Sequence, residues 1–416
     1  MDIATKQSPG TPIMRARPEM TVRLRQGVIE FPVHHVRGGT STGLVLWDRL
    51  APKDITLREE LVRHLMGVPF SGTRPGNKQL TGLGRIVPTG NKVFFAEIET
   101  GHREPVLVST LAQLASDKSA IDWSVNCGNM SAALPLWALD TALVEHAGDS
   151  FTLTIRNTNT GVTAASRMTF QGAVAEHVQI PGVDGAWPGV DLFLNRPVGS
   201  KTGRLLPTGQ AVDRIDGIEV SCVDVAVPMV IARASDFGRE VNDPIESFDT
   251  DKALMQRLRA VWVAAGLRMG LKKRTGEPMT EDDLANSETI PKVCLVGAPA
   301  GAGHIAVRYF TPQACHRSMA VSGGCCLAAA VLVPGTVAFE TARGVERLGA
   351  QFEEVHIGIE NPAGILDASI EARLAGVGVE IVKAAYKRNA QILVAGQVPL
   401  YHASHGLRDA LLAGKE

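Results

Sequence analysis

The sequence predicts an α+β protein made of two similar domains, each with a buried helix at its centre. The first observation behind this prediction is the segment from Gly128 to Leu139, which is apolar on nearly all sides, as expected of a helix enclosed by other structure. The second is a similar segment, rich in Ala and Leu, from Cys326 to Val333. Each follows a turn of small residues, at 126–129 and 322–324, and the two turns lie about half a chain length apart. An internal duplication would produce this arrangement.

Between these helices the sequence alternates in the manner of β-strands, with β-branched runs bounded by turn residues. Strands are predicted at Phe151–Ile155, Ile218–Val225, Lys292–Val296 and His304–Arg308. A surface helix is predicted from Asp251 to Met269, and the polar stretch 271–288 that follows it is interpreted as an exposed insertion.

The domain boundary is placed in the stretch 181–209, which is dense in Gly and Pro and shows no clear strand longer than a few residues. We therefore predict domains at 28–195 and 196–416, and leave open whether the last strand, about 388–400, returns to the first domain. Residues 1–27 combine basic residues with prolines and have no apolar stretch, which predicts a disordered tail rather than a secretory signal peptide.

Composition excludes several classes of function. The 42 basic and 43 acidic residues leave a net charge of −1, which argues against binding to nucleic acid through a basic surface. The apolar run from Cys325 to Val333 is far shorter than the ~20 residues that cross a bilayer, so no membrane span is expected. The six cysteines show neither a disulfide framework nor a C-x-x-C zinc pattern, which predicts a cytoplasmic protein. The oligomeric state is left open, a homodimer included.

A cluster of small polar residues, R-G-G-T-S-T-G, runs from Arg37 to Gly43 between two strand-like segments. Its backbone N–H groups and hydroxyls would suit a carboxylate or a phosphate, although a plain tight hairpin would explain the cluster equally well. The spacings of a P-loop and of a dinucleotide-binding loop are both missing from this cluster.

A second glycine-rich segment, from Lys78 to Lys92, ends in a lysine that opens the apolar run Val93–Ala96. Desolvation at such a position would lower the pKa of the lysine and favour the neutral amine, which can act as a base. A lone lysine is most often a solvated side chain, so the interest of Lys92 depends on the residues that accompany it.

Cys127 comes directly before the first buried helix, where the N–H groups of a helix N-terminus stabilise a thiolate. An inert core cysteine is the alternative interpretation. Cys325 and Cys326 are expected at the equivalent point of the second domain. They follow Ser322–Gly324, whose N–H groups could hold a second carboxylate.

Several motifs occur together and in order. They are R-G-G-T-S, a lysine upstream of N-C-G-N, D-V-A-V-P-M-V at 224–230, a histidine before S-G-G-C-C-L-A-A-A, and P-G-T-V at 334–337. From about residue 28 to about residue 400 the chain therefore resembles the PrpF family. This resemblance implies a fold like that of diaminopimelate epimerase, with two pseudo-symmetric domains, each a β-sheet wrapped round a central helix, and an active site in the cleft between them.

The resemblance also implies an activity. Members of the family isomerise small unsaturated di- and tricarboxylic acids of the aconitate, 2-methylaconitate, 4-oxalomesaconate or methylitaconate type, without a cofactor and without a metal. By motif, the catalytic lysine and cysteine of the family fall on Lys92 and Cys127. The candidates for substrate binding are Arg37, Gly38, Gly39, Thr40, Ser41, Asn126, Gly128, Asn129, Arg308, His316, Ser322, Gly323 and Gly324.

The chemistry of these residues fits such a reaction. Moving a double bond next to a carboxylate requires removal of a carbon-bound proton and return of a proton elsewhere, for which an amine and a thiol can serve as base and acid. Which of Lys92 and Cys127 removes the proton is left open. Two alternatives remain: a two-cysteine racemase or epimerase that pairs Cys127 with Cys325 or Cys326, and a non-catalytic accessory protein for a partner enzyme.

Overall fold

The described part of the chain begins inside the predicted tail. The computed structural model describes residues 20–99, 101, 105–146, 148–273, 275–287, 289–376 and 378–413. Residues 1–19 of the predicted tail lie outside the described residues. For residues 20–27, the described part of the tail, the prediction of disorder is wrong, because Arg23–Arg25 form a strand that pairs with Val28–Glu30. Val22 is buried in the core, and Gly27, at positive φ, makes the tight turn between the two strands.

Strands outnumber helices in both halves of the chain. In the first half the elements are β1 (Arg23–Arg25), β2 (Val28–Gly38), β3 (Ser41–Trp47), α1 (Ile55–Met66), β4 (Lys92–Glu99), β5 (Val106–Leu114), β6 (Ile121–Asp122), α2 (Gly128–Ser131), α3 (Ala133–Asp140), β7 (Ser150–Asn157), β8 (Thr163–Gln171), β9 (Val174–Ala175), β10 (His177–Ile180) and β11 (Val183–Asn195). In the second half they are β12 (Asp213–Ile215), β13 (Ile218–Val225), β14 (Val227–Arg233), α4 (Ile245–Asp249), α5 (Lys252–Arg268), α6 (Glu281–Ala285), β15 (Lys292–Gly297), β16 (Ile305–Thr311), β17 (Ala314–Cys315), α7 (Val321–Leu332), α8 (Val337–Thr341), β18 (Glu353–Asn361), β19 (Gly364–Ala375), β20 (Gly378–Pro399) and α9 (His405–Ala413).

The two halves share one topology. In the first half, β2 pairs antiparallel with β3, β3 parallel with β4, β4 antiparallel with β5, and β5 parallel with β7. In the second half the same pairings, in the same directions, join β13 to β14, β14 to β15, β15 to β16 and β16 to β18. The central helices hold the same place in both orders, α2–α3 between β6 and β7, and α7 between β17 and β18. The prediction of two similar halves is confirmed.

Each half has one core around its central helix and a second core on the outer face of its sheet. Trp137 of α3 is fully buried in the first inner core, while Leu61 of α1 and Leu407 of α9 lie in the outer one. In the second half, α7 is buried in the inner core, and Trp262 of α5 lies in the outer core. Both apolar segments therefore form enclosed helices, as predicted. None of the helices in the described ranges is long and apolar enough to cross a membrane.

Two predictions for the connecting segments are wrong. The stretch 181–209 contains β11, a strand of 13 residues that pairs with β8, β10 and β20. Pro188 and Gly189 interrupt its apolar pattern, so its order comes from pairing on both edges rather than from a hydrophobic run. The stretch 271–288 is not wholly exposed, because it includes α6, whose Leu284 is fully buried against α5. The boundary between domains at 195/196 remains a prediction.

Strand β20 serves both halves. Its residues up to Asn389 pair with β19 and β11, and those from Ala390 to Pro399 pair with β2. Ala384 and Tyr386 lie in the inner core around α7, whereas Ala390 lies in the inner core around α2 and α3. The strand therefore passes from one core to the other between residues 386 and 390.

Candidate active site

The N-termini of the two central helices meet. Cys127 is the N-cap of α2, and Ala320 is the N-cap of α7. A Cβ atom built on Gly128 would lie 3.7 Å from Cγ2 of Val321, so the first turns of the two helices lie close together. The N–H groups of both first turns, which have no partner within their helices, point into this junction. The residues around it form the candidate active site.

Lys92 faces this junction from the first residue of β4. It has the strand parity of Phe94 and Ala96, which pack in the core around α2 and α3. Only 6% of its surface is exposed, and its Nζ donates a hydrogen bond to Oε1 of Gln113 at 2.5 Å. Burial lowers the pKa of Lys92, and the nearby Cys127 sulfur opposes this effect. The amine is thus closer to the neutral form than that of a surface lysine, as the sequence predicted.

The loop before Lys92 is fixed by buried amides. Asn91 is fully buried, and its Oδ1 accepts hydrogen bonds from Nε2 of Gln79 at 2.7 Å and from the N–H of Arg85 at 3.2 Å. Gly84 lies so close to this pair that a Cβ atom there would be 1.9 Å from Nε2 of Gln79. These contacts hold the start of β4, and therefore the Lys92 backbone, in place.

Cys127 is partly exposed at the start of α2. Its backbone N–H donates to Oδ1 of Asn126 at 2.7 Å, and its sulfur lies 4.0 Å from Oγ of Ser41, to which the thiol can donate. Asn126 is therefore a positioning residue for the cysteine backbone. Ser41, at the start of β3, is a sequence-predicted substrate-binding residue whose hydroxyl lies within reach of the thiol.

The cluster from Arg37 to Gly43 is a tight hairpin seated on α2. A Cβ atom on Gly38 would lie 2.4 Å from the backbone oxygen of Asn129, and Nδ2 of Asn129 donates to Oγ1 of Thr40 at 3.2 Å. The N–H of Gly39 donates to the backbone oxygen of Asn389 at 2.9 Å. The expectation that this N–H could bind a substrate is therefore wrong. The glycines of the turn allow a close approach of the hairpin to α2.

The structure does not bring Arg37 into the site, and the prediction of a carboxylate contact from it is wrong. Gly38 beside it contacts α2, so the Arg37 side chain lies on the opposite face of β2. Its Nη1 donates to Oδ1 of Asn389 at 2.6 Å and to the backbone oxygen of Gly39 at 2.9 Å. Its guanidinium lies 5.7 Å from the ring centre of Trp187.

Arg308 is likewise outside the site, for the same geometric reason. Its neighbours Val307 and Tyr309 face the core around α7, so the Arg308 side chain faces the outer core. There its Nη2 donates to the backbone oxygen of Asp243 at 2.7 Å, and its guanidinium lies 5.6 Å from the ring centre of Phe248. The positions on either side of Arg308, Val307 and Tyr309, face the inner core, whereas Arg308 itself faces away from it.

His316 lies just before α7. Its Nδ1 accepts a hydrogen bond from the N–H of Ser318 at 2.9 Å, which leaves the ring hydrogen on Nε2. Burial lowers the pKa of His316, and the neighbouring Lys292 ammonium lowers it further. The imidazole is therefore neutral near pH 7 and offers an N–H donor rather than a cation.

The predicted anion-binding turn of the second half is the first turn of α7. The N–H of Gly324 donates to the backbone oxygen of Ala320 at 2.9 Å, so the prediction is wrong for that group. The N–H groups of Ser322 and Gly323 belong to the part of the turn that has no intrahelical acceptor. Gly323 lets the ring of Tyr309 come close, since a Cβ atom there would lie 2.4 Å from that ring.

Cys325 and Cys326 do not correspond to Cys127. The N-cap position that Cys127 holds in α2 is held by Ala320 in α7, and the two cysteines lie further along the helix, fully buried. Burial raises the pKa of Cys325 to about 12 and raises that of Cys326 still more. The expectation that they occupy the equivalent point of the second half is wrong, because the look-alike segments differ in where the helix begins.

Sequence reasoning missed Arg388 of β20, which lies near Cys127 at the start of α2 and near Cys325 of α7. Its side chain is 5% exposed, stacks on Tyr386 at 3.5 Å from the ring centre, and has a buried Nε without a hydrogen bond. Burial lowers the pKa of Arg388 to about 9, and the sulfurs of Cys325 and Cys127, one from each half, oppose this effect. The guanidinium is still charged at pH 7. The sequence does contain one signal for this residue. In a strand, Arg388 faces the same side as Tyr386 and Ala390, two apolar residues that are buried.

The comparisons with known proteins agree with the motifs. A family model described as PrpF protein matches residues 28–401. The chain belongs to the PrpF family. It is 32% identical over 342 residues to the 4-oxalomesaconate tautomerase of Pseudomonas putida, a match that covers 81% of this chain and 88% of the relative. It is 31% identical over 371 residues to the (4E)-oxalomesaconate Delta-isomerase of a Novosphingobium species, a match that covers 88% of this chain and 96% of the relative.

The fold is similar to the crystal structure of a methylitaconate-delta-isomerase. The TM-score is 0.75 at 23% identity, and the match covers 92% of this chain and 97% of that chain. The predicted fold, the predicted family and the prediction that this PrpF protein is an isomerase are therefore confirmed. Within the described ranges there is no group of three or more His, Cys, Asp or Glu side chains that could hold a metal ion.

Replacing Gly38 with alanine should disturb the site without touching a catalytic group. The added Cβ atom would lie 2.4 Å from the backbone oxygen of Asn129, so the hairpin and α2 must separate. Because small misplacements of reacting groups reduce rates strongly, we expect kcat/KM to fall by about 10- to 100-fold. Gly396→Ala is the matched control, since a Cβ atom there meets only Cγ1 of Val394 at 4.0 Å. Unchanged activity in Gly38→Ala would contradict the packing described for the hairpin.

Replacing Arg388 with lysine should weaken substrate binding. A lysine keeps the charge but loses the planar fork that binds a carboxylate through two hydrogen bonds, so we expect KM to rise by about 10-fold or more. Lys387→Ala, one residue away on the other face of β20, should leave KM unchanged. Circular dichroism and a melting curve confirm that both variants fold. A folded Arg388→Lys enzyme with the wild-type KM would remove Arg388 from the site.

Proposed function

We propose that this protein transfers a proton between carbon atoms of a small unsaturated di- or tricarboxylic acid, with Lys92 and Cys127 as the acid–base pair. The reaction is double-bond migration or cis–trans isomerisation, and it needs no cofactor. The observation that carries the proposal is the placement of a buried amine and a thiol beside the buried guanidinium of Arg388. The relatives named for 4-oxalomesaconate support a substrate of this chemical class.

The pair supplies what an allylic proton transfer requires. A C–H bond next to an unsaturated acid breaks, its proton goes to the basic member of the pair, and its electrons form a delocalised dienolate. The acidic member then donates its proton to a different carbon, or to the same one after rotation about the former double bond. Burial favours the neutral amine of Lys92, which is the form that can accept the proton from carbon.

The dienolate needs positive charge near its oxygens. Arg388 provides a fixed cation at the junction, and the N–H groups at the starts of α2 and α7 add oriented dipoles from both halves. Such groups stabilise the developing charge most effectively in a site that excludes water, and Lys92 and Arg388 are only 6% and 5% exposed. A dicarboxylate or tricarboxylate is thus bound where the charge of the intermediate forms.

The burial of Cys325 and Cys326 argues against a two-cysteine racemase. A thiol whose pKa is raised to about 12 and whose sulfur contacts the backbone oxygen of Ala385 at 3.9 Å is not placed to exchange a proton with a substrate. The accessory-protein alternative would not require a buried lysine and a thiol in one site, and this chain has both.

Lys92→Ala and Cys127→Ala should each abolish the incorporation of solvent deuterium into the substrate. Removal of a general acid or base typically lowers the rate by ~100-fold or more. The measurement is proton NMR of a candidate acid, such as aconitate or 4-oxalomesaconate, incubated with the enzyme in D2O. Lys252→Ala, at the exposed start of α5, is the control for the loss of a lysine. Near-normal exchange in Cys127→Ala would show that the assigned pair is wrong.

A variant in which alanine replaces both Cys325 and Cys326 distinguishes the isomerase from the two-cysteine scheme. Because both thiols are fully buried and burial raises the pKa of each, we expect kcat and KM to stay within about 3-fold of wild type, provided that the variant melts normally. A folded double variant whose kcat falls by ~100-fold would instead move the acid–base chemistry to the second half.

A further inference from the structure

A second lysine lies at the point of the second half that corresponds to Lys92. Lys92 begins β4, and the pairing of Leu44 with Val93 places it beside Gly43, the third residue of β3. Lys292 begins β15 and pairs with Met229, the third residue of β14. The two lysines are therefore equivalent in strand, direction and register.

Lys292 also faces the same side of its sheet as Lys92 does. Cys294 and Val296, which share its strand parity, lie in the inner core around α7, whereas Val293 and Leu295 lie in the outer core. His316, just before α7, is close enough for the Lys292 ammonium to lower its pKa. Lys292 is therefore directed towards the N-terminal end of α7, which meets the N-terminus of α2.

The surroundings of Lys292 differ from those of Lys92. Lys92 has Gln113 as an acceptor and Cys127 beside it. In the second half the N-cap is Ala320, which carries no thiol. Nor does the described part of the chain supply a hydrogen-bond acceptor or a counter-ion for the half-buried amine of Lys292. Burying a cation without a partner is unfavourable, so an anion bound at this point would be stabilised.

We propose that Lys292 binds one carboxylate of the substrate through its ammonium group, while the first half carries out the proton transfer. The inference rests on the proposed function, since it assigns a binding partner to the anion of that same site. Burial lowers the pKa of Lys292 to about 8, so the ammonium form still predominates at pH 7, and a bound carboxylate raises the pKa again. The neutral imidazole of His316 can add an N–H donor to the same carboxylate.

The test is equilibrium binding of propane-1,2,3-tricarboxylate, a saturated tricarboxylate that cannot isomerise, measured by calorimetry. We expect Lys292→Met to weaken binding by about 10- to 100-fold, the usual scale for losing a hydrogen bond between charged groups. Lys292→Arg should recover most of the affinity because it restores the charge. Lys272→Met, at an exposed position, should bind like wild type. With a reacting substrate, Lys292→Met should raise KM while kcat changes by less than about 3-fold.

The outcomes separate this inference from the proposed function. If wild type neither binds the tricarboxylate nor exchanges protons of any unsaturated polycarboxylate, the proposed function is wrong. If wild type binds the tricarboxylate and a folded Lys292→Met variant binds it equally well, the role of Lys292 is wrong and the proposed function stands. A Lys292→Met variant that binds normally but loses kcat would also overturn the binding role, because Lys292 would then belong to the acid–base chemistry.

Discussion

Strand β20 is the element through which each half of the protein completes the other. Its first part continues the ladders of β19 and β11, and its last part pairs with β2. A slip of one residue would move Ala384, Tyr386 and Ala390 out of the two inner cores, so the register of this strand is strongly specified. The same register fixes Arg388 where the cores meet. The packing of β20 in the two inner cores therefore also determines where the guanidinium of Arg388 lies, near α2 and α7.

Three basic side chains lie around this junction although the chain as a whole is nearly neutral, with a net charge of −1. Lys92 and Arg388 are buried, Lys292 is half-buried, and burial lowers the pKa of each of them. Desolvated cations attract an anion more strongly than solvated ones do, because less water competes for them. A bound polycarboxylate, as proposed above, would therefore offset the cost of burying these groups. In the first half the same low-polarity surroundings bring an amine towards neutrality next to a thiol.

Much of this arrangement could be predicted from the sequence, and the failures have a common physical cause. The enclosed helices and the pair of Lys92 and Cys127 follow from composition, local pattern and resemblance. The orientation of Arg37 and Arg308 does not, because one residue of strand parity decides whether a side chain faces the inner or the outer core. The α7 segment looked like a copy of the α2 segment, yet its helix begins at Val321, so the cysteines lie inside it.

Arg388 and the strand β11 were missed for a different reason. The sequence of β20 shows the alternation of side chains between the two faces of a strand. Only the pairing of β20 with both halves shows that Arg388 lies near the starts of α2 and α7. In β11, Pro188 and Gly189 hide a strand whose order depends on neighbours far away in sequence. Both cases are set by long-range pairing, which no local pattern of residues encodes.

The shared strand also has a consequence for how the chain is made. β2 lies near the start of the chain, whereas the strand that covers its other edge lies near the end; Arg37 and Gln391, which are hydrogen-bonded neighbours across this pair, are 354 residues apart. Since a ribosome adds roughly 5–20 residues per second, the edge of β2 stays without its final partner for about 20 to 70 seconds of synthesis. An unpaired strand edge is a template for association with other chains. During that interval the nascent first half therefore presents an open strand edge to other chains.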